Sequence, residues 1–349
     1  MKKYKVGVCG NFDTEHTIAN GQTVKTINLW EKLCEIYGKE NVARFNTYGF
    51  KRKPISSVFR FLGFMKQCEN VAVLPAVSAV KVVVPVGVLF KKKYRCKIHY
   101  IVIGAWLGNL LKNKKSLLKS VKKLDSVLVE TKTLKAELED LGIEKIQIFP
   151  NFKQMDILPE EELIYQKDLP LKLCFFARVT EQKGIGELID AIKEINKNGM
   201  VYKLDIYGPE DEDYRAEFEK RKKEFGEDIS YCGVIESDKA RDTVKNYFLQ
   251  IFPTKFRTEG IPGSIIDSYC AGVPVIASRW NSCHDIVDEG VTGVSFELGD
   301  FEELKTLLDE ISRKPDEINK LKKNCLKKAE IYDADNAIRI LQERMEAET

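Results

Sequence analysis

Short apolar runs alternate with amphipathic stretches along almost the whole chain, and this rhythm constrains the fold more than any other feature. Such alternation is the βαβα pattern of parallel sheets flanked by helices. In the first half, strands are predicted at residues 4–9, 42–46, 71–75, 97–103, 126–130 and 145–149. In the second half they are predicted at residues 172–177, 202–207, 229–232, 248–252, 274–277 and 293–296. Between the first two strands, residues 22–37 place Val24, Ile27, Leu33 and Ile36 on one helical face, and Gly38 is a natural stop.

The rhythm breaks after Pro150-Asn151, where an acidic, aperiodic stretch ends in Asp-Leu-Pro. A chain of 349 residues suits two domains, at roughly 100–200 residues each. The expected division is a domain at 1–150, a linker at 151–170, a second domain at 171–330 and a C-terminal helix at 331–349 that packs back on the first domain. The fold class is α/β, with two Rossmann-like, doubly wound parallel-sheet domains facing across a cleft. Ligands of such sheets bind beyond the carboxyl ends of the strands. No window approaches the roughly 18 apolar residues of a membrane span, and the N-terminus reads as a first strand rather than a leader. The nine cysteines include no C-x-x-C pair and lie mostly in apolar patterns, so they read as buried thiols in a reducing cytoplasm.

Three loops after predicted strands carry chemistry. The first, residues 10–21, ends Asn20-Gly21-Gln22 at a helix start, where Gly21 lets a phosphate or sugar approach the backbone. It holds no G-x-G-x-x-G, which disfavours an ordinary dinucleotide site. The second begins Arg178 and reaches Lys183-Gly184, offering a guanidinium fork and a point charge to a diphosphate. The third runs Glu259-Gly260-Ile261-Pro262-Gly263-Ser264-Ile265-Ile266-Asp267. There the backbone N–H groups of Gly263, Ser264 and Ile265 open a helix and can face an anion. Asp267, one turn on, can accept hydrogen bonds from ribose hydroxyls. Turn formation explains Gly272 and Pro274, but not two carboxylates eight positions apart around a glycine-rich turn.

Residues 252–278 resemble the E-x7-E region of glycosyltransferase family 4, and Arg178-x4-Lys183-Gly184 resembles that family's phosphate-binding pair. Tyr207-Gly208-Pro209 and Cys232-Gly233-Val234 are similar to its glycine after the next strand and its loop beside the nucleotide base. The resemblance covers residues 171–300 and is looser over 1–150. It implies a GT-B fold, retention of anomeric configuration, no metal and no cofactor beyond the nucleotide-sugar donor. It implies that Glu259, Arg178 and Lys183 are catalytic, with Glu259 holding the transferred sugar and the two cations stabilising the leaving diphosphate. Gly21, Gly208, Val234, Gly260, Gly263, Ser264, Ile265 and Asp267 would line the donor. Three positions depart from the family: Asp267 stands where Glu is usual, a glycine pair is replaced by residues 280–285, and no histidine ends a strand of the first domain. His16, His99 and His284 read as structural.

Charge is divided sharply. Residues 1–150 hold 27 Lys+Arg against 12 Asp+Glu, and residues 151–349 hold 29 against 41. Residues 110–124 form a predicted lysine-rich amphipathic helix with Lys112, Lys114, Lys115, Lys119, Lys122 and Lys123. Lys51-Arg52-Lys53 and residues 91–95 add cations, and Phe59, Phe61, Phe64 and Met65 beside the first run look exposed. Such a surface suits an anionic membrane. With no nucleic-acid motif, nucleic acid is not an expected partner. The expectation is a cytoplasmic glycosyltransferase, peripheral at the inner membrane face. It would use a nucleotide sugar, UDP being the commonest carrier in the family, and a lipid-linked glycan acceptor in surface polysaccharide synthesis. A GT-B nucleotide-sugar epimerase and a non-catalytic partner in a glycan-assembly complex are the competing readings.

Overall fold

The computed structural model describes residues 3–13, 21–48, 50 and 54–347. His16, Asn20 and the Lys51-Arg52-Lys53 run lie outside the described residues. The chain divides into two compact units, Met1–Lys153 with Asp333–Thr349, and Gln154–Tyr332.

The first unit is built on strands β1 (Tyr4–Gly10), β2 (Val42–Asn46), β3 (Cys68–Leu74), β4 (Lys97–Ile101), β5 (Ser126–Val129) and β6 (Ile146–Ile148). They are parallel and lie in the order β2-β1-β3-β4-β5-β6. Its helices are α1 (Gly21–Tyr37), α2 (Pro54–Lys66), α3 (Val77–Tyr94), α4 (Leu107–Lys112), α5 (Lys115–Val121) and α6 (Lys132–Asp140). The second unit has strands β7 (Leu171–Phe176), β8 (Tyr202–Tyr207), β9 (Ile229–Gly233), β10 (Leu249–Phe252), β11 (Val275–Ser278) and β12 (Gly293–Phe296). They are also parallel, in the order β12-β11-β10-β7-β8-β9. Its helices are α7 (Ile185–Ile195), α8 (Arg215–Lys222), α9 (Ala240–Val244), α10 (Gly263–Cys270), α11 (Cys283–Ile286), α12 (Phe301–Arg313), α13 (Pro315–Asn319) and α14 (Lys322–Ala329). The last helix, α15 (Ala334–Glu346), belongs to the first unit, where Ala337, Ile338 and Leu341 pack with Leu29 and Leu33 of α1.

Both sheets are doubly wound, and each has one point where the strand order reverses. In the second unit that point lies between β7 and β10, so the crevice for a ligand opens beyond their carboxyl ends. Each predicted strand overlaps an observed one.

Four local expectations are corrected. The buried face of α1 carries Thr23, Lys25, Thr26, Leu29 and Leu33, while Val24 and Ile36 are exposed. The helix is turned because the Lys25 ammonium must face Glu130, with which it pairs at 2.7 Å. The lysine-rich stretch is two helices, α4 and α5, broken at Lys114 with φ −134°. Leu107 and Leu111 are buried from the first helix, and Leu117 and Val121 from the second. On α2, Phe61, Phe64 and Met65 are buried and Phe59 is exposed, because Phe61 and Phe64 pack around Phe45. Residues 154–170, expected within a linker, are part of the second unit. The Leu158 N–H donates to the Cys270 carbonyl at 2.8 Å, and Leu158 and Leu163 bury against Leu326.

His99 is wholly buried on β4, hydrogen-bonded with Ser126 Oγ at 2.9 Å and Asn70 Oδ1 at 3.1 Å. Burial pushes its pKa down to about 4, so it stays neutral. No helix among the described residues is long and apolar enough to cross a membrane.

Lys322 is the second unit's buried cation, 1% exposed, with Nζ donating to the Tyr247 carbonyl at 3.3 Å. Burial lowers its pKa to about 8. The unfolded chain therefore binds more protons than the folded one between that value and about 10.4, the ordinary lysine value. Lys322→Met should be more stable than wild type by about 3 kcal/mol below pH ~8. Its advantage should shrink to nothing by pH ~10.4, as the wild-type lysine becomes neutral in both states. Urea midpoints of both proteins across this range check the prediction.

Candidate active site

The second sheet's switch point gathers most of the predicted residues. Arg178 follows β7, where Ala177 N–H donates to the Tyr207 carbonyl at 3.1 Å and Val179 N–H to the Pro209 carbonyl at 3.0 Å. These bonds fix the chain on both sides of Arg178, whose Nη1 lies 3.4 Å from Asp211 Oδ2. The close approach requires Gly208, which has φ +137°; a Cβ there would lie 1.8 Å from the Ala177 carbonyl oxygen.

Lys183 ends a single helical turn, Glu181–Lys183, and Gly184 at φ +71° passes the chain into α7. A Cβ on Gly184 would sit 2.1 Å from the Pro253 carbonyl oxygen, so the loop after β10 presses directly on this turn. The Lys255 N–H donates to the Gln182 carbonyl at 2.8 Å and joins the two loops.

That juxtaposition produces the central cluster. Lys183 Nζ forms an ion pair with Glu259 Oε1, and both side chains are largely shielded, 22% and 14% exposed. Thr254 Oγ1 donates to the same Glu259 oxygen at 3.0 Å and accepts from the Phe256 N–H at 3.2 Å. The Lys183 ammonium also lies 4.9 Å from the centre of the Phe252 ring. The carboxylate, the cation and the hydroxyl thus orient one another.

Helix α10 begins at Gly263, preceded by Pro262, and its first turn carries no acidic residue. Pro262 fits that position because its missing N–H lies where no intrahelical bond is made. The N–H groups that open a helix present partial positive charge. Ser264 Oγ accepts from the Gln250 amide at 3.4 Å, and Ser268 Oγ donates to the Gln250 carbonyl oxygen. Gln250 is wholly buried on β10 and so ties the helix start to the strand. Asp267 faces inward at 8% exposed. Beyond β8 and β9, the Gly208 N–H donates to the Gly233 carbonyl at 2.8 Å, and Val234 stands 64% exposed beside it. Tyr207 reaches Tyr247 Oη at 2.7 Å, and burial raises its phenol to about 12.

The structure therefore brings Lys183 and Glu259 into contact and places Gly260, Gly263, Ser264 and Ile265 at the adjoining helix start. Arg178 sits at the end of the neighbouring strand with Asp211, and Gly21 opens α1 in the first unit. Trp280 is buried against Phe252, ring centres 5.5 Å apart, in the segment where the glycine pair was missing. Thr254, Asp211 and Gln250 were not singled out from the sequence. Only the position of Thr254 just after a strand could have flagged it. Among the described residues no group of three His, Cys, Asp or Glu is placed to hold a metal ion.

Two doubly wound, parallel six-stranded units define the GT-B fold. The solved structure of HepE from Anabaena in complex with UDP superposes with a TM-score of 0.73, covering 97% of this chain and 98% of that one at 14% identity. Residues 160–329 match the family model described as glycosyl transferases group 1. The amylovoran biosynthesis glycosyltransferase AmsK of Erwinia amylovora is 26% identical over 174 residues, 47% of this chain and 42% of the relative. An uncharacterized glycosyltransferase of Methanocaldococcus jannaschii is 25% identical over 235 residues, 62% of this chain and 58% of the relative. The chain thus spans about half the length of these relatives.

Proposed function

We propose that the protein is a retaining glycosyltransferase of the family 4 type. It moves a hexosyl group from a UDP-sugar onto a lipid-linked glycan acceptor in surface polysaccharide synthesis. The observation that carries the reading is the Lys183–Glu259–Thr254 cluster at the sheet's switch point, one strand away from Arg178. As the glycosidic bond breaks, negative charge grows on the departing diphosphate. Arg178, Lys183 and the N–H groups of Gly263, Ser264 and Ile265 are fixed positive groups that stabilise it better than they stabilise the ground state. Lys183 would exchange its carboxylate partner for the diphosphate, leaving Glu259 to accept hydrogen bonds from sugar hydroxyls. Gly260 admits the sugar, Asp267 meets the ribose, and Gly208 and Val234 lie beside the base. No metal takes part in this scheme. The UDP held by HepE supports the choice of nucleotide, and the name of AmsK supports the polysaccharide.

The same reading places the protein at the inner face of the membrane. Lys112, Lys114, Lys115, Lys119, Lys122 and Lys123 are all exposed on and beside α4 and α5. Leu89 on α3 and Ile55 and Phe59 on α2 are 73%, 74% and 69% exposed. Cations beside exposed apolar groups suit an anionic lipid surface.

A mass-spectrometric screen of nucleotide sugars, with and without acceptor glycan and with a chelator present, tests the reading. Wild type should consume one donor in an acceptor-dependent way. Arg178→Ala should raise the donor KM about ten-fold or more, through loss of charge-assisted bonds to the diphosphate. Conversion of the donor to an isomer without acceptor would show an epimerase instead.

A further inference from the structure

Three cations along one edge of the first sheet are held by aromatic rings and not by carboxylates. β2 is an outer strand, and an open cavity of about 730 Å³ lies along it, lined among others by Trp30, Lys39, Glu40, Arg44, Phe45 and Arg60. The Arg44 guanidinium lies 5.3 Å from the Trp30 ring centre and 6.0 Å from that of Phe12. Arg60 lies 5.8 Å from the centre of Phe45, and the Lys39 ammonium 5.9 Å from Trp30. All three cations are exposed, and none has a carboxylate at ion-pair distance among the described residues. Glu40, also exposed, is the single acid in the lining.

Charges on an edge strand discourage unwanted strand pairing, and any flexible lysine would serve for that. Guanidinium groups held over aromatic rings do more. A guanidinium kept in place by a ring loses less freedom on meeting an anion than a flexible lysine does. Arg44 stands on the α1 side of β2, Arg60 on the α2 side, and Lys39 just before the strand begins. Lys39 and Arg44 meet at the Trp30 ring while Arg60 meets Phe45, so the cations stand at two places along the groove and not at one. That spacing fits an extended chain with carboxylates repeated along it better than a single small anion.

We propose that this groove, lined by residues of the first unit, binds an acidic oligosaccharide, a glycan chain bearing carboxylates. The nature of the ligand rests on the glycosyltransferase reading, in which such a chain is acceptor or product; the groove itself does not.

The test is calorimetric titration of the intact protein with oligogalacturonate. Maltooligosaccharide, poly-glutamate and inorganic phosphate serve as comparison ligands. Oligogalacturonate should bind, and more weakly as salt rises. Arg44→Gln and Arg60→Gln should each weaken it about ten-fold, while Glu40→Gln should tighten it. Thermal midpoints and donor turnover should stay at wild-type values in all three variants, since these side chains are exposed and are not among the proposed donor residues. Unchanged binding by both arginine variants, or equal binding of the neutral maltooligosaccharide, overturns the proposal. Tighter binding of poly-glutamate would make the groove a peptide site, and equal binding of phosphate a small-anion site; either also overturns it. Oligogalacturonate binding by a protein that turns over no donor would sink the transferase reading and leave the groove standing.

Discussion

Glu259→Gln should lower the transfer rate by about a thousand-fold while leaving the donor KM unchanged or reduced. The amide keeps the shape of the carboxylate and still accepts the Thr254 hydroxyl, which lies 3.0 Å from Glu259 Oε1. What it lacks is charge. In the proposed reaction, sugar hydroxyls then lose their anionic acceptor at the moment positive character develops on the ring. Lys183, meanwhile, loses the partner that would compete with the diphosphate in that proposal. The two consequences act in opposite directions on catalysis and on donor affinity, so kcat and KM should separate. A stability loss should be too small to account for the effect. The pair is largely shielded, 22% and 14% exposed, but the amide still accepts from Thr254 and Lys183 keeps its contact with the Phe252 ring, so the change in folding free energy should be about 1–3 kcal/mol. Steady-state kinetics alongside thermal melts distinguish the cases. A variant with wild-type kcat removes Glu259 from the chemistry, and one whose rate loss follows its melting loss makes it structural.

The strands were legible because each is a local event. A strand covered on both faces must be apolar along its length, and that pattern needs no knowledge of its neighbours. The positions of Arg178, Lys183 and Glu259 were legible for a related reason, since loops after parallel strands are where ligands meet such sheets. What the sequence hid are the contacts between distant segments. Lys183 meets Glu259 across 76 positions because Gly184 lets the loop after β10 come close, and nothing local announces that approach. The facing of α1 could not be read from its apolar residues, because a lysine and two threonines point inward and Val24 points out. The division of the lysine-rich stretch was hidden too: at 100° per residue Leu107, Leu111, Leu117 and Val121 fall within about 120° of one another and read as one amphipathic stripe. Phe61 and Phe64 looked exposed beside a basic run, yet they pack around Phe45, whose strand lies in another part of the chain.

The Lys25–Glu130 pair, 105 positions apart, is the strongest case of such hidden coupling, and it sets the largest expected effect on stability. Both side chains are almost fully buried, 2% and 3% exposed. Glu130 Oε1 takes the Lys25 ammonium at 2.7 Å, Glu130 Oε2 accepts the Gly104 N–H at 3.1 Å, and the ammonium also lies 5.3 Å from the centre of Phe149. Burial lowers the pKa of Lys25 even with its partner present. Glu130→Ala should therefore cost about 3–5 kcal/mol, the usual penalty for removing one member of a buried pair. The remaining lysine can escape only by losing its proton. In the variant the unfolded chain then binds more protons than the folded one up to about pH 10.4, so the deficit should shrink as pH rises from 7 toward that value. Lys25→Met with Glu130→Leu should recover much of the loss but not all of it, because the Gly104 N–H no longer has this carboxylate as its acceptor. Hydrogen exchange followed by mass spectrometry reads the effect locally, as faster exchange in peptides from α1 and β5, with the second unit's peptides unchanged. Equal exchange in wild type and Glu130→Ala would mean that the pair carries no stability. Equal stability of the double variant and wild type would mean that the Gly104 contact is not worth counting.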